Sequence, residues 1–206
     1  GEFDHAKSLF QKIADDQDSP YNKISAYLVA RNLVRKAFLS KEEGFVKENL
    51  EEALNISNSL LTKPEIKELK NALTNQIRRI QFYIKPNELT KELETLILTS
   101  STVPDLARND FARLLETNSE EAKADSSMAD WILNFRTEEK KASLDYALKK
   151  WKDTKSTPWF VSVITKISPD HTDVKLILDE GRNYKKDNYA YLTVSYHRIR
   201  LLLEQG

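Results

Sequence analysis

The sequence predicts an all-α protein of about eleven helices stacked as antiparallel pairs. Three observations carry this. Apolar residues recur at three- and four-residue spacing along most of the chain, and prolines repeatedly follow residues that cap helices well. The 206 residues include only four glycines, with no cluster that would build hairpins or phosphate loops.

The expected spans are 2–16, 20–39, 42–61, 64–84, 86–99, 104–117, 119–135, 137–153, 158–167, 169–180 and 187–205. Ser19-Pro20, Thr157-Pro158 and Ser168-Pro169 each place a side-chain oxygen before a proline, whose fixed φ suits a first helical turn. Pro64, Pro86 and Pro104 open helices in the same way, and Ser40-Lys41-Glu42-Glu43 fits a capping box. Span 20–39 carries one stripe of Ile24, Tyr27, Leu28, Val34 and Phe38 and a second of Ala26, Ala30, Leu33 and Ala37. A helix apolar on two sides is sandwiched between neighbours. Span 187–205 reads alike, with Leu192, Tyr196, Ile199 and Leu203 as its main stripe and Ala190, Val194, His197 and Leu201 beside it. Alternation of strand length occurs near Phe160–Ile164; flanked by Pro158 and Pro169 and without a pairing partner, it reads as a short buried helix. Connections of two to six residues make successive helices antiparallel neighbours, and helices apolar on two faces favour a superhelix over a closed bundle.

Composition excludes several function classes. Lys plus Arg is 32 and Asp plus Glu is 32, and the balance holds in each half, 15 against 15 before residue 104 and 17 against 17 after. Neither half has the basic excess that draws a chain to nucleic acid. No apolar run approaches the ~20 residues of a membrane-spanning helix. The absence of cysteine removes disulfides, thiolate nucleophiles and thiolate metal sites. With three scattered histidines and no HExxH or aspartate-rich spacing, no metal or other cofactor is expected.

The first twenty residues, Gly1-x-Phe3-x-x-Ala6-x-x-x-Phe10-x-x-Ile13-Ala14 closing at Ser19-Pro20, resemble the second helix of a tetratricopeptide (TPR) repeat and its following turn. Tyr196–Gly206 resembles a first helix stopping at its turn glycine. The resemblance implies a right-handed superhelix, with residues 1–206 forming one helical-repeat domain cut from a longer array. It also implies a non-catalytic scaffold binding a protein or peptide. Pro20 and Pro64 lie 44 residues apart rather than the ~34 of that repeat, and Phe45, Leu50 and Leu54 align only loosely with Gly1, Ala6 and Phe10. Trp131–Gly206 is similar to segments of long bacterial extracytoplasmic proteins, which favours a periplasmic or secreted setting. The chain begins at Gly1 with no apolar signal segment, as a trimmed piece would.

Arg31 and Arg35 lie one turn apart on an otherwise apolar helix. On the concave side of a superhelix they would grip carboxylates of a bound peptide; the alternative is pairing with Asp15, Asp16 or Asp18. His197 and Arg200, with Thr193 and Glu204, form a polar stripe suited to an anion, the alternative being a half-buried histidine held by Glu204 or a neighbouring helix. Tyr184, Tyr189 and Tyr191, in or beside the polar stretch 181–188, are the expected exposed aromatics. Partner binding is therefore assigned to Arg31, Arg35, Tyr189, Tyr191, His197 and Arg200. Adjacent acidic pairs such as Glu120-Glu121 point about 100° apart on a helix and read as solvated faces rather than catalytic dyads. Two rival readings stand: a helical accessory portion of a carbohydrate-active or cell-envelope enzyme, using Trp159, the late tyrosines and Glu180 or Glu204, and a plain spacer. Exposed apolar faces at cut repeat ends would invite self-association.

Overall fold

The computed structural model describes residues 1–39 and 46–206 and is all-α, with no strand among the described residues. Twelve α-helices are seen among them: α1 (Glu2–Asp15), α2 (Asn22–Leu39), α3 (Lys47–Leu61), α4 (Lys70–Ile84), α5 (Pro86–Thr99), α6 (Asp105–Thr117), α7 (Ser119–Asp125), α8 (Ser127–Arg136), α9 (Lys140–Thr154), α10 (Thr157–Lys166), α11 (Val174–Glu180) and α12 (Tyr191–Glu204). Two short 3-10 segments, Pro64–Leu69 and Gly181–Asn183, precede α4 and follow α11. Each expected span holds a helix, and one has broken in two. Span 119–135 is interrupted at Ser126, whose side chain accepts from the Ala129 N–H at 3.0 Å and starts α8 afresh.

The prolines serve less uniformly than their sequence context implies. Pro86 stands first in α5, and Pro158 sits second in α10 behind Ser156. Ser19-Pro20 instead begins a turn: Ser19 Oγ accepts from the Tyr21 N–H, and the helix starts at Asn22. Ser168-Pro169 likewise leads into turns, and α11 starts only at Val174, after His171 Nδ1 has accepted from the Asp173 N–H at 3.0 Å. The capping box at 40–43, with Gly44 and Phe45, lies outside the described residues.

The chain divides into two compact units, Gly1–Asp125 and Ser126–Gly206. In the first, α1 to α4 each pack on their sequence neighbours, and α5 packs on α4, α6 and α7. α2 is sandwiched as its two apolar stripes require, between α1 and α3, with α4 also against it. Leu33, Val34 and Ala37 of α2 join Leu50, Ala53 and Leu54 of α3 and Ile80 of α4 in one buried cluster. α1 is only laid against this core: Ile13 stays 39 % exposed, and Phe10 is half-buried. Polar bonds fix it there, with Asn32 Nδ2 donating to Phe3 O at 2.7 Å and Lys36 pairing with Asp4 at 2.6 Å.

The second unit has its own core, built from Leu144, Ala147, Leu148 and Trp151 of α9, Trp159, Phe160, Val163 and Ile164 of α10, and Val174, Ile177, Val194 and Leu201 beyond. Phe160–Ile164 is helical and buried, as its proline-flanked position suggests. α12 does not follow the sequence expectation. Its second face, through Ala190, Val194 and Leu201, enters the core, whereas Leu192, Tyr196, Ile199 and Leu203 of the main stripe are exposed. No described helix is long and apolar enough to cross a membrane.

Candidate functional site

On α2, Tyr27, Arg31, Arg35 and Phe38 fall three or four residues apart and so share one side of the helix. The opposite side is occupied by core contacts, which leaves this one as the wall of a groove of about 500 Å³. Across it stand Asn75, Gln76 and Arg79 of α4. A second groove, of about 360 Å³, shares Asn75 and Arg79 and continues to Arg78, Phe82 and Tyr83 of α4 and to Leu106, Asp110 and Arg113 of α6. Alternate helices, α2, α4 and α6, thus supply the lining in chain order.

Two of the arginines lie over aromatic rings. Arg79 is 5.6 Å from the centre of the Phe38 ring, and Arg113 is 4.8 Å from that of Phe82. A guanidinium attracted to a ring face, rather than committed to a carboxylate, keeps N–H groups available for a ligand. Among the described residues no carboxylate lies within ion-pair distance of Arg31, Arg35, Arg78, Arg79 or Arg113. Two of the acids considered as partners for Arg31 and Arg35 are engaged otherwise: Asp15 accepts from Gln11 at 2.8 Å, and Asp16 accepts from the Asp18 N–H at 3.0 Å. The two grooves together present five of the chain's ten arginines, none of its 22 lysines and one carboxylate, Asp110. Burial raises the Asp110 carboxyl above the usual carboxylate range, while the charges of Arg78 and Arg113 pull it the other way.

The four other residues assigned to binding lie in the second unit and have different surroundings. Arg200 is held from three sides. Its Nη2 donates to the carbonyls of Ile164 and Ile167 at 3.2 Å each, its Nη1 pairs with Glu204 at 3.0 Å, and its Nε donates to His197 Nδ1 at 3.3 Å. His197 is half-buried, and burial together with the Arg200 charge lowers its pKa. Tyr189 stands 80 % exposed before α12, whereas Tyr191, at the first position of that helix, is half-buried.

Several other aromatic side chains of the second unit pack inward, while Tyr196 stays exposed. Trp159 is buried against Tyr146, and Trp131 Nε1 donates to both Pro158 O and Ser162 Oγ at 2.8 Å. Tyr184, expected among the exposed aromatics, is instead half-buried and stacks on Phe160 with centres 4.8 Å apart. Asp130 is buried, accepts from Tyr146 Oη at 3.0 Å and pairs with Lys150 at 2.8 Å; that bond holds the lysine above its ordinary pKa. A serine and a lysine also meet: Lys166 Nζ donates to Ser143 Oγ and, at 2.6 Å, to Asn134 O. Burial lowers the Lys166 pKa, but Ser143 is itself buried and lines none of the grooves described. No group of three or more histidines and carboxylates that could hold a metal ion occurs among the described residues.

Sequence reasoning therefore found the α2 side of the arginine groove and missed Arg78, Arg79, Asp110 and Arg113. The signal was present. Arg78 and Arg79 stand among Leu73, Ile77 and Ile80 much as Arg31 and Arg35 stand among the apolar residues of α2. Neither a family model, nor a curated protein, nor a solved structure matches the chain.

Proposed function

We propose that the protein is a non-catalytic helical-repeat scaffold of TPR-like kind, which binds a protein or peptide partner along the faces of α2, α4 and α6. The observation that supports this most is the groove containing Arg31 and Arg35. Its guanidinium groups lack carboxylate partners among the described residues and stand beside the half-buried ring of Tyr27. Exposed arginines flanked by aromatic side chains are what interface hot spots are made of. Helices anchored from behind by a packed core hold such groups in fixed positions, so that an extended partner meets a surface already arranged. The resemblance of the first twenty residues to a TPR repeat leads to the same kind of role by analogy of fold.

The test is selection of peptides from a random displayed library on the purified chain, with the double variant Arg31→Gln, Arg35→Gln as counter-target. Peptides that bind the parent and lose about tenfold or more on the variant are expected, since each bidentate charged contact is worth roughly a factor of ten. A library yielding no enriched peptide, or only peptides indifferent to both substitutions, overturns the reading.

A further inference from the structure

The scaffold reading leaves the partner's chemistry open; the surroundings of the groove narrow it. Two grooves meet at Asn75 and Arg79 and so form one track. At its α2 end Arg31, Arg35 and Arg79 line the walls without a single carboxylate; at its α6 end Arg78 and Arg113 flank Asp110. The chain as a whole has no net charge, so this is a local concentration of positive charge and not a sample of a basic surface. Every cation in the lining is an arginine, although lysines outnumber arginines 22 to 10 in the chain. The planar fork of arginine matches planar carboxylates two bonds at a time, and Arg79 and Arg113 each lie over an aromatic ring, 5.6 Å and 4.8 Å from its centre.

We propose that this track binds an extended acidic peptide, with its aspartate or glutamate side chains read at the α2 end by Arg31, Arg35 and Arg79. Asp110 limits the acidic run, because a ligand carboxylate brought to the α6 end meets a like charge in a partly desolvated place. A peptide fits better than a nucleic acid of equal charge. A phosphate backbone spreads its charge along its whole length and relies on a basic field that a chain balanced in both halves does not have.

This proposal rests on the scaffold reading, but its failure is separable. Fluorescence anisotropy of the full chain is read against four dye-labelled probes. They are an acidic dodecapeptide alternating Glu with Ser and Leu, its Gln counterpart, its Lys counterpart, and an oligothymidylate of matching charge. The acidic peptide is expected to bind at least about tenfold more tightly than the Gln peptide, and the Arg31→Gln, Arg79→Gln variant to erase that margin. Asp110→Asn is expected to tighten acidic-peptide binding about threefold, an effect opposite in sign to the arginine losses and not attributable to damaged folding. Equal binding of the acidic and Gln peptides, tighter binding of the oligothymidylate, or no response to either set of substitutions overturns the proposal. Displayed peptides of neutral or basic composition that still depend on Arg31 and Arg35 would sink the acidic partner and leave the scaffold intact.

Discussion

Replacing Arg200 by alanine tests whether that residue ends a helix or waits for a ligand. An α-helix leaves its last carbonyls without intrahelical donors, and α10 ends among buried side chains. Arg200 Nη2 reaches the carbonyls of Ile164 and Ile167 together, each at 3.2 Å, from a helix more than thirty residues along the chain. Hydrogen bonds from a charged donor contribute about 1.5–3 kcal/mol each in favourable settings. These two share one nitrogen, and the side chain is 27 % exposed, so the pair is taken together as about 2–3 kcal/mol. The pairing with Glu204 is partly exposed and adds about 0.3–0.5 kcal/mol. Arg200→Ala is therefore expected to cost the second unit roughly 2–4 kcal/mol, and Arg200→Lys about half of that, because a single ammonium cannot reproduce the fork. The assay is urea unfolding followed by tryptophan emission. All three tryptophans, Trp131, Trp151 and Trp159, lie in the second unit, so the signal ignores the first. A loss below about 0.5 kcal/mol for Arg200→Ala, or a lysine variant equal to the parent, would show that Arg200 is not what closes α10.

Two further predictions concern the same unit. Gly181 has φ −58°, an ordinary helical value at which glycine-to-alanine changes commonly stabilise by about 0.4–1 kcal/mol. Here an added Cβ would collide with Arg198 Cδ and lie 3.0 Å from its Cγ, forcing the side chain off its bond to Leu178 O. Gly181→Ala is thus expected to destabilise by about 1 kcal/mol, and thermal melting that shows stabilisation would refute the contact. Burial and Arg200 depress the pKa of His197 in the folded state, so the unfolded chain takes up its proton first as pH falls below about 6.5. The stability of the second unit should therefore decline from there until the folded histidine also protonates. His197→Asn should flatten that slope in urea unfolding repeated across pH, and an unchanged slope would exclude His197 as its source.

The fold was largely legible because its signals are local. The repeated stripes placed a helix in every expected span, and the two apolar sides of α2 announced the neighbours it has. What escaped depended on neighbours distant in sequence or on competing caps. Ser126 reads as one polar residue among several until its bond to the Ala129 N–H is seen. Ser168-Pro169 has the chemistry of a helix start, yet the chain spends it on turns that bring Val174 into the core. On α12 both stripes were visible, but which one enters the core depends on where α10 and α11 lie. The candidate site divides the same way. Arg31 and Arg35 stood out on their own helix, whereas linking them to Arg79 and Arg113 requires α2, α4 and α6 to line one track. The partners of Arg200 are backbone carbonyls, which no side-chain pattern reveals.

The choice of guanidinium over ammonium in the groove sets what can switch it. Arginine keeps its charge throughout any pH a cell attains, so titration in the lining falls to Asp110 alone. Acetylation acts on primary amines and finds none on these walls, whereas methylation of arginine would keep the charge while blunting the fork. Dicarbonyl reagents, which attack guanidines, would footprint the track directly, and an occupant lying in it would shield Arg31 and Arg35 from them.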